Sequence, residues 1–365
     1  MSEFSRVAVL AHNGMGDVIM ALPALAAVDR SLGPNARLLF VVCTPVEEQL
    51  VKLVQWRHPP EIVQTGFARG FKALGRLYGV TAAVRAFKPD LLLAIHGSQR
   101  LQAVLFARAM NARFAVGEKG PWDSLTFNKS VVWGPSEHKT SFYMKLPQAV
   151  GLARPDEPLV YPPVELPAPA ERLAAPGGRW IIFAPGSSPL QTHKRWPVEH
   201  FGALGRMLLD HGDDIRIGVL GAKSEADLIH AVCAAVGDPA RCRALVQSTI
   251  TGSLQAVGDA ACVVGGCTGT LHLTALMHRP IVGIYGASNP CESGPHAEAV
   301  QILRRGMACS PCYRVGFTAG CGNPVCVTGI TPDVVFAAVL KALAGPIHSF
   351  PQGLACTMAT APSFE

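Results

Sequence analysis

Charged residues and long apolar runs are both scarce in this sequence. Only 16% of its 365 residues are charged and 49% are hydrophobic, which excludes a disordered chain and favours large buried sheets. No run reaches the roughly 18 uninterrupted apolar residues that a membrane span needs. The first apolar run stops at His12, which is too early for a signal peptide. We therefore expect a cytoplasmic protein.

Dense basic clusters interleaved with aromatic residues are missing as well, so we expect no nucleic-acid partner. The net charge of +6 is nevertheless uneven, because the first 150 residues hold 17 Lys and Arg against 10 Asp and Glu. A basic first half suits an anionic partner such as a phosphorylated lipid head group or a membrane surface. A chance excess of solvated basic side chains explains the same numbers.

Apolar strand-like runs alternate with helical patterns along the chain. The runs "RVAVLAH", "ARLLFVVC" and "DLLLAIH" come first, and after a proline-rich interval the alternation restarts with "RWIIFAPG", "IRIGVLGA", "ACVVGG" and "PIVGIYGA". This rhythm is typical of parallel sheets covered by helices on both faces. We expect an α/β protein with two doubly wound domains over 1–160 and 178–345, a linker near 155–178 and a tail over 346–365. Ligands in such folds bind at the carboxyl ends of the strands.

The segment "HNGMGDV" follows the first strand and leads into an apolar helix expected from about Val18. We expect Gly14 and Gly16 to supply a tight turn with positive φ, and Asp17 to lie at the helix start. There its side chain either caps backbone N–H groups or faces a binding cleft. Dinucleotide binding is disfavoured, because "GMGDVI" lacks the third glycine of the G-x-G-x-x-G pattern.

Three further motifs follow strands in the second half. "APGSSPLQTHKRWP" places a glycine–serine turn before Lys194, "VLGAKSEADL" places Glu225 after a strand, and "GGCTGTLHLTALMH" opens another helix. In this order, together with "GMGDVIMALPAL", "HGSQRLQAVLFARAMNARFAVG" and the closing cysteine-rich segment, the motifs resemble glycosyltransferase family 9, the ADP-heptose–lipopolysaccharide heptosyltransferases. The resemblance covers nearly the whole chain.

The resemblance implies a GT-B fold, in which two Rossmann-like domains face a central cleft. It implies that the N-terminal domain binds an anionic lipopolysaccharide core acceptor and that the C-terminal domain binds a nucleotide sugar, ADP-heptose. Members of the family that resemble this chain invert the anomeric centre and require no metal or other cofactor for catalysis. Such an enzyme works in the cytoplasm, with peripheral contact to the inner face of the cytoplasmic membrane.

Direct displacement at an anomeric carbon needs a base for the acceptor hydroxyl and a stabiliser for the departing diphosphate. Asp17 matches the family's base position, and Lys194 supplies a mobile ammonium for the leaving group. Thr268, Gly269 and Thr270 lie at a helix start, where N–H groups and a partial positive charge favour an anion. A solvated surface lysine is the alternative interpretation of Lys194.

The second half offers further donor contacts. Ser187 and Ser188 add hydroxyl donors to the diphosphate site. Glu225 stands where an acidic side chain accepts hydrogen bonds from ribose hydroxyls, although a surface glutamate at a helix start fits the same position. His272 either contacts the donor or is satisfied in the packing of its helix.

Basic residues of the first half form the expected acceptor site. We expect them to meet acidic sugars or phosphates of the lipopolysaccharide inner core, with Gly16 at the same site. The basic set consists of Arg69, Lys72, Arg76 and Arg100. The spacing of the first three fits one helical face, which a solvated surface explains equally.

One position departs from the family. An aspartate usually precedes the threonine or serine–glycine pair of the diphosphate loop, and here Cys267 takes its place. A thiol is neither a charged cap nor a good acceptor, so the departure puts the donor sugar in doubt. One alternative is a family 9-type transferase with another nucleotide sugar, or with a protein or small-molecule acceptor. A second is a GT-B scaffold that binds nucleotide without turnover, against which Asp17 and Lys194 argue.

Eleven cysteines in a chain expected to be cytoplasmic do not imply disulfides. Four of them, Cys309, Cys312, Cys321 and Cys326, are separated by two, eight and four residues. This spacing is compatible with a tetrahedral structural zinc or iron site, with Cys291 as a further candidate ligand. A subgroup of heptosyltransferases that acts on autotransporter proteins resembles this region in carrying an iron held by four cysteines. Ordinary family members carry similar cysteines, so the cluster need not hold a metal.

Overall fold

The computed structural model describes residues 3–11, 14–66, 71–95, 101–168, 178–312, 321–345 and 359–360, apart from the side chains of a few residues within helices and of the last pair. The chain divides into two compact units, Met1–Glu165 (unit 1) and Leu166–Glu365 (unit 2). The division falls within the proline-rich interval.

The described part of unit 1 contains a parallel sheet of six strands. In chain order they are β1 (Arg6–Ala11), β2 (Arg37–Val42), β3 (Glu61–Gln64), β4 (Leu91–Ala94), β5 (Phe114–Glu118) and β6 (Lys129–Val131). Their spatial order is β3-β2-β1-β4-β5-β6. Val9 of β1 pairs with Phe40 on one side and with Leu93 on the other. The central strands are almost continuously apolar because helices bury both of their faces.

Helices connect the strands of unit 1. They are α1 (Met15–Ser31), α2 (Pro45–Leu53), α3 (Phe71–Phe87), α4 (Leu101–Ala109) and α5 (Lys139–Gln148), with a 3-10 turn at Asp123–Leu125. The start of α2 follows from its sequence, because Thr44 and Glu47 form a capping box and Pro45 takes the first helical position. α3 and α4 pack in one cluster with the sheet, and α1 packs against α5.

Unit 2 repeats this architecture with a parallel sheet of seven strands among its described residues. The strands are β7 (Arg179–Ala184), β8 (Ile215–Ala222), β9 (Cys242–Gln247), β10 (Cys262–Gly266), β11 (Ile281–Tyr285), β12 (Val300–Arg304) and β13 (Ala359–Thr360), in the spatial order β13-β12-β11-β10-β7-β8-β9. The helices are α6 (Val198–His211), α7 (Ala226–Val236), α8 (Ile250–Gly258), α9 (Gly269–Leu276), α10 (Pro290–Ser293), α11 (Val325–Thr328) and α12 (Pro332–Leu343), with 3-10 turns at Pro189–Lys194 and Lys223–Glu225. The predicted α/β fold of doubly wound parallel sheets is confirmed.

In each sheet, the strands that follow the first strand in the chain lie first on one side of it and then on the other. In unit 1 the chain moves from β1 outward to β3 and then returns to β4 on the other side of β1. In unit 2 the same reversal falls between β7 and β10. The loops after the two strands at such a point diverge, and the crevice that they leave is where doubly wound sheets bind ligands.

Two glycines, Gly265 and Gly266, form the end of β10. A Cβ at Gly265 would lie 2.8 Å from the carbonyl oxygen of Ala184 on β7, and a Cβ at Gly266 would lie 3.0 Å from the carbonyl oxygen of Lys194. The first distance is shorter than Cβ atoms show next to backbone, so close approach requires glycine at 265, and the second leaves a Cβ at Gly266 little room. The segment that ends in Lys194 therefore lies directly against the end of β10.

The prediction that Gly14 and Gly16 supply a tight turn with positive φ is wrong. Gly14 is the extended N-cap of α1, with φ −72° and ψ 161°, and Gly16 is already helical because α1 begins at Met15. Gly14 leads into the helix as an extended residue, which requires no left-handed backbone at that position. Asp17 lies within the first turn and is not the N-cap.

Residues 359–360, within the expected tail, form β13 beside β12, and the rest of 346–365 lies outside the described residues. None of the helices that the structure describes has both the length and the apolar character for crossing a bilayer.

Candidate functional site

Asp17 lies just after β1, at the point where the sheet of unit 1 reverses. Its backbone N–H donates to the carbonyl of Gly14 (3.0 Å), which holds it in the first turn of α1. Its Oδ1 accepts two hydrogen bonds, one from Nζ of Lys139 (2.6 Å) and one from the hydroxyl of Tyr143 (3.0 Å). The carboxylate is thus an ion-paired and hydrogen-bonded group at a strand end.

The two donors come from α5. Lys139 is only 8% exposed, and its ammonium also lies 5.8 Å from the ring centre of Trp133. Tyr143 is 1% exposed, and burial raises its pKa well above the ordinary value, with the charges of Asp17 and Glu118 adding to the effect. Sequence analysis missed both residues. The available signal was slight: a lysine and a tyrosine four residues apart share one face of a largely apolar helix.

The predicted acceptor residues are only partly described. Gly16 lies in the first turn of α1, next to Asp17. Lys72 and Arg76 lie on α3, but their side chains are outside the described part of the structure. Arg69 and Arg100 lie outside the described residues altogether. Their role as acceptor contacts stays a prediction.

In unit 2 the loop after β7 is stabilised by hydrogen bonds of Ser187 with Gln191 and Arg195. The hydroxyl of Ser187 donates to the carbonyl of Gln191 (3.0 Å) and accepts from Nε of Arg195 (3.0 Å), while Nη2 of Arg195 donates to the Ser187 carbonyl (3.1 Å). Ser187 is buried and Ser188 is exposed. The hydroxyl of Ser187 therefore braces the loop, a contact with Arg195 that sequence analysis did not predict.

Lys194 ends the 3-10 turn beside this loop. It is 5% exposed, so the alternative of a solvated surface lysine is wrong. Its charge acts on its neighbour: burial, and then the ammonium of Lys194, lower the pKa of His193. Because its carbonyl packs on Gly266, Lys194 lies where β7 and β10 diverge.

The loop after β10 leads into α9. Thr268 is the N-cap, and Gly269 and Thr270 begin the helix, as the motif predicts. Among the described residues, the buried hydroxyl oxygens of Thr268 and Ser288 have no hydrogen-bond partner. Buried hydroxyls normally have partners, so the hydroxyl of Thr268 is available to a ligand at the N-terminus of α9.

Cys267 lies at the same strand end. Tyr285 ends the neighbouring strand β11, and burial together with the adjoining Cys267 thiol raises the pKa of Tyr285 well above its ordinary value. The position at which an aspartate is expected thus carries a thiol beside a buried phenol. His272, one turn into α9, is also buried.

Glu225 follows β8 and is the N-cap residue of α7. Its carboxylate accepts from the backbone N–H of Ala222 (3.1 Å). A Cβ at Gly186 would clash with the carboxylate, and one at Gly221 would lie 2.9 Å from it. Glu225 therefore both starts a helix and reaches the ends of β7 and β8.

The four clustered cysteines differ in exposure. Cys309, Cys312 and Cys321 are exposed and Cys326 is buried. Burial raises the pKa of Cys326, and the charges of Cys312, Cys309 and Cys321 raise it further. Within the described part of the chain, however, no three ligand-type side chains gather closely enough to hold a metal ion. Cys291 lies on α10.

Comparison with solved structures defines the class of fold. The structure has a TM-score of 0.76 with a glycosyltransferase family 9 protein from Veillonella parvula, at 17% identity, covering 93% of this chain and 97% of that chain. It has a TM-score of 0.69 with the Escherichia coli heptosyltransferase WaaC bound to ADP-2-deoxy-2-fluoro heptose, at 18% identity, covering 92% and 99%. The fold is that of the GT-B glycosyltransferases. The facing of its two domains across a cleft stays a prediction.

Sequence comparison identifies the family. Residues 85–321 match the model of glycosyltransferase family 9 (heptosyltransferase). Lipopolysaccharide heptosyltransferase 1 of Escherichia coli is 24% identical over 314 residues, which cover 82% of this chain and 93% of that protein. The chain belongs to glycosyltransferase family 9 and is a glycosyltransferase, as its motifs indicate.

Proposed function

We propose that the protein transfers a heptose from ADP-heptose to the core of a lipopolysaccharide acceptor. The heptosyltransferase relatives support this proposal, and so does the chemistry of the two strand ends. The observation that carries it is the burial of Lys194, whose backbone carbonyl lies against the end of β10, from which the N-terminus of α9 follows. A cation and a helix N-terminus together favour a diphosphate.

In the proposed reaction, Asp17 takes the proton of an acceptor hydroxyl. The hydroxyl oxygen attacks the anomeric carbon, the bond from that carbon to the diphosphate oxygen breaks, and ADP leaves with the electron pair. A single displacement inverts the anomeric centre. Lys194 and the N–H groups of α9 stabilise the leaving diphosphate, so the step as proposed uses no metal or other cofactor.

The remaining donor contacts follow from position. Glu225 is proposed to accept hydrogen bonds from the ribose hydroxyls, because its carboxylate lies at the ends of β7 and β8. The unpartnered hydroxyl of Thr268 and the exposed Ser188 are proposed to contact the diphosphate, with Ser187 holding their loop. His272 is proposed to border the donor from α9.

The base assignment is tested by substituting Asp17. Asp17→Asn and Asp17→Ala are expected to lower transfer by about 100-fold or more, because general base catalysis contributes at least that much. Stabilisation against thermal unfolding by ADP is expected to persist, since the nucleotide site lies in unit 2. Near-normal turnover in Asp17→Asn contradicts the proposal.

The identity of the donor is tested with a panel of ADP- and UDP-sugars. The sugar nucleotide that raises the melting temperature most, and more than its nucleoside diphosphate alone, is the donor. We expect ADP-heptose. Another sugar nucleotide would favour the second candidate, a family 9-type transferase of different donor, for which the Cys267–Tyr285 pair is the supporting observation. The variant Cys267→Asp, which restores the usual family residue, is then expected to change the donor preference.

The acceptor is tested after the donor. Transfer to truncated lipopolysaccharide supports the main proposal, whereas transfer to a protein or small-molecule acceptor supports the second candidate. Donor binding without transfer to any of these would favour a non-catalytic scaffold.

We also propose that Cys309, Cys312, Cys321 and Cys326 hold a structural zinc or iron ion. The spacing of the four cysteines in the sequence supports this, since thiolates are preferred ligands of both metals. The ion would order its loop and takes no part in the transfer step. Elemental analysis of the purified protein is the test, and protein that is folded and active with neither metal bound contradicts the site.

Peripheral contact with a membrane is proposed through one surface of unit 1, here called the α4 surface. It comprises four exposed apolar side chains, Leu101, Leu105, Trp122 and Leu125. The 3-10 turn that carries the last of them is joined to α4, because Thr126 donates to the carbonyl of Val104 (3.0 Å). Beside it lies a cavity of about 570 Å³, which is lined by Leu105 and by Arg85, Arg108 and Arg113.

This combination suits a bilayer with anionic lipids. Leucine and tryptophan side chains insert at the head-group level, and basic side chains add attraction to anionic lipids. Arg85 and Arg108 donate to backbone carbonyls, which orients the guanidinium groups without neutralising them.

Vesicle sedimentation tests the membrane contact. The protein is expected to bind phosphatidylglycerol vesicles more than phosphatidylcholine vesicles, and the double variant Leu105→Asp, Trp122→Asp is expected to lose most of this binding. Val160, which is 58% exposed on the segment after α5, provides the control Val160→Asp. Equal binding by the double variant and the control contradicts this contact surface.

A further inference from the structure

Lys139 and Tyr143 meet the candidate base from a single helix. They lie one turn apart on α5, and both donate to the same oxygen, Oδ1 of Asp17, at 2.6 and 3.0 Å. Lys139 is 122 residues from Asp17 in the chain, so only the packing of α1 against α5 brings them together. Two donors on one oxygen restrict the rotation of the carboxylate.

The burial of Lys139 makes this contact more than a surface ion pair. An ammonium that leaves water without a partner costs several kcal/mol, so a buried lysine lies against an anion or an electron-rich group. Lys139 has both, with Asp17 on one side and the ring of Trp133 at 5.8 Å on the other. The ammonium is therefore confined to one position, from which its charge acts on Asp17.

A neighbouring cation favours the ionised form of a carboxyl group. A general base must be ionised before it can accept a proton. The ion pair therefore extends to lower pH the range in which Asp17 can act as a base. The ion pair also makes the carboxylate a weaker base, but a protonated carboxyl group could not accept the proton at all. The raised pKa of Tyr143, caused first by burial and then by the charge of Asp17, keeps its hydroxyl protonated and a donor.

We propose that Lys139 is a positioning residue, which keeps Asp17 ionised and orients its carboxylate toward the acceptor hydroxyl, with Tyr143 as the second donor. The inference rests on the proposed role of Asp17 as the base. The titratable groups that the structure records at this point are Lys139 and Tyr143 on α5 and Glu118 on β5, whose charge reaches the same hydroxyl.

The test is the pH dependence of kcat/KM. Removing the charge in Lys139→Met is expected to move the acid limb upward by about one pH unit or more, because an opposite charge at this distance lowers a carboxyl pKa by that amount. Lys139→Arg keeps the charge and is expected to restore the original limb. Tyr143→Phe removes one donor and is expected to give a smaller shift in the same direction.

Lys145→Met is the matched control. Lys145 lies on the same helix but pairs with Glu137 (2.7 Å), so its removal is expected to leave the acid limb in place. Lys139→Gln covers the case in which the methionine variant does not fold. Its amide still donates a hydrogen bond but carries no charge, so the shift is expected to persist.

The outcomes separate the inference from the proposed function. Near-normal turnover in Asp17→Asn overturns the base assignment and the inference with it. Loss of turnover in Asp17→Asn, together with an unmoved acid limb in folded Lys139→Met or Lys139→Gln, overturns the inference alone. A limb that moves equally in Lys145→Met also overturns it, because the effect would then not be specific to the pair.

Discussion

At the scale of single residues, Lys194 is the buried cation of the proposed donor site. Lys194→Met is expected to lower transfer by about 100-fold, because it removes the main positive charge from the leaving diphosphate. The same variant is expected to raise the pKa of His193, which the ammonium now lowers in addition to burial. Steady-state kinetics and a histidine NMR titration measure the two effects.

The exposed Lys341 on α12 provides the control. Lys341→Met is expected to leave both measurements unchanged. An unaltered His193 titration in Lys194→Met would contradict the placement of the ammonium, whatever the kinetics show.

Glu225 gives a second prediction at this scale. Glu225→Ala is expected to weaken ADP binding by roughly 10-fold, because hydrogen bonds to a charged acceptor are lost, with kcat changed much less. Asp227→Asn, an exposed change two residues further along α7, is the control. Isothermal titration with ADP is the measurement, and unchanged affinity in Glu225→Ala counts against the ribose contact.

At the scale of elements, two glycines at strand ends are expected to respond oppositely to serine. Gly265→Ser is expected to cost about 1–3 kcal/mol of unfolding free energy, because its Cβ would lie 2.8 Å from the carbonyl oxygen of Ala184. Gly14→Ser is expected to cost little or to stabilise. Gly14 has φ −72°, a Cβ added there would meet nothing within 4 Å, and serine is a favoured N-cap.

Urea unfolding of the two variants measures the difference. Equal losses of stability would mean that close approach at β10 is not what requires glycine there. The comparison also tests the finding that Gly14 needs no left-handed backbone.

At the scale of the whole molecule, a set of carboxyl groups ties stability to pH. Hydrogen bonds from neighbouring side chains and backbone amides lower the pKa of each of them. The set comprises Glu48, Asp123, Glu157, Asp214 and Asp238. A carboxyl group whose folded pKa is lowered stabilises the fold above its ordinary pKa, and this contribution is lost as the pH falls through the folded value.

The melting temperature is therefore expected to stay level near neutral pH and to fall below about pH 4, the ordinary range of these groups. Because the basic partners of these groups are mostly exposed, each pair contributes little and salt is expected to weaken the effect. Thermal unfolding between pH 7 and pH 3 at two ionic strengths measures it. A melting temperature that rises on acidification would contradict the assignment.

The positions of Asp17, Thr268 and Glu225 at strand ends were predictable from sequence, because each lies in a short strand–turn–helix segment with local signals. The details of the first junction were not. A glycine pair suggests positive φ, but the helix starts one residue after Gly14 and absorbs Gly16. Glycine content records conformational freedom and does not record which allowed conformation is used.

Contacts between segments that are distant in the chain could not be predicted from such local signals. Lys139 and Tyr143 follow the edge strand β6 and meet Asp17 only because α5 packs on α1. Arg195 reaches back over the turn before it to brace Ser187, which the motif suggests only as a ligand contact. Likewise, the sequence allows Lys194 to be either a solvated surface lysine or a site residue, and its burial in the structure excludes the solvated surface.

The sequence by itself determined the two doubly wound sheets, the family and the strand ends that carry the candidate site. It could do so because strand and helix periodicity and glycine-rich junctions are local properties of the chain. Only the tertiary structure decided which side chains surround the carboxylate of Asp17 and which lysines are buried. Those contacts depend on the order of strands in a sheet and on helices that pack across it. No single segment of the sequence determines either of these.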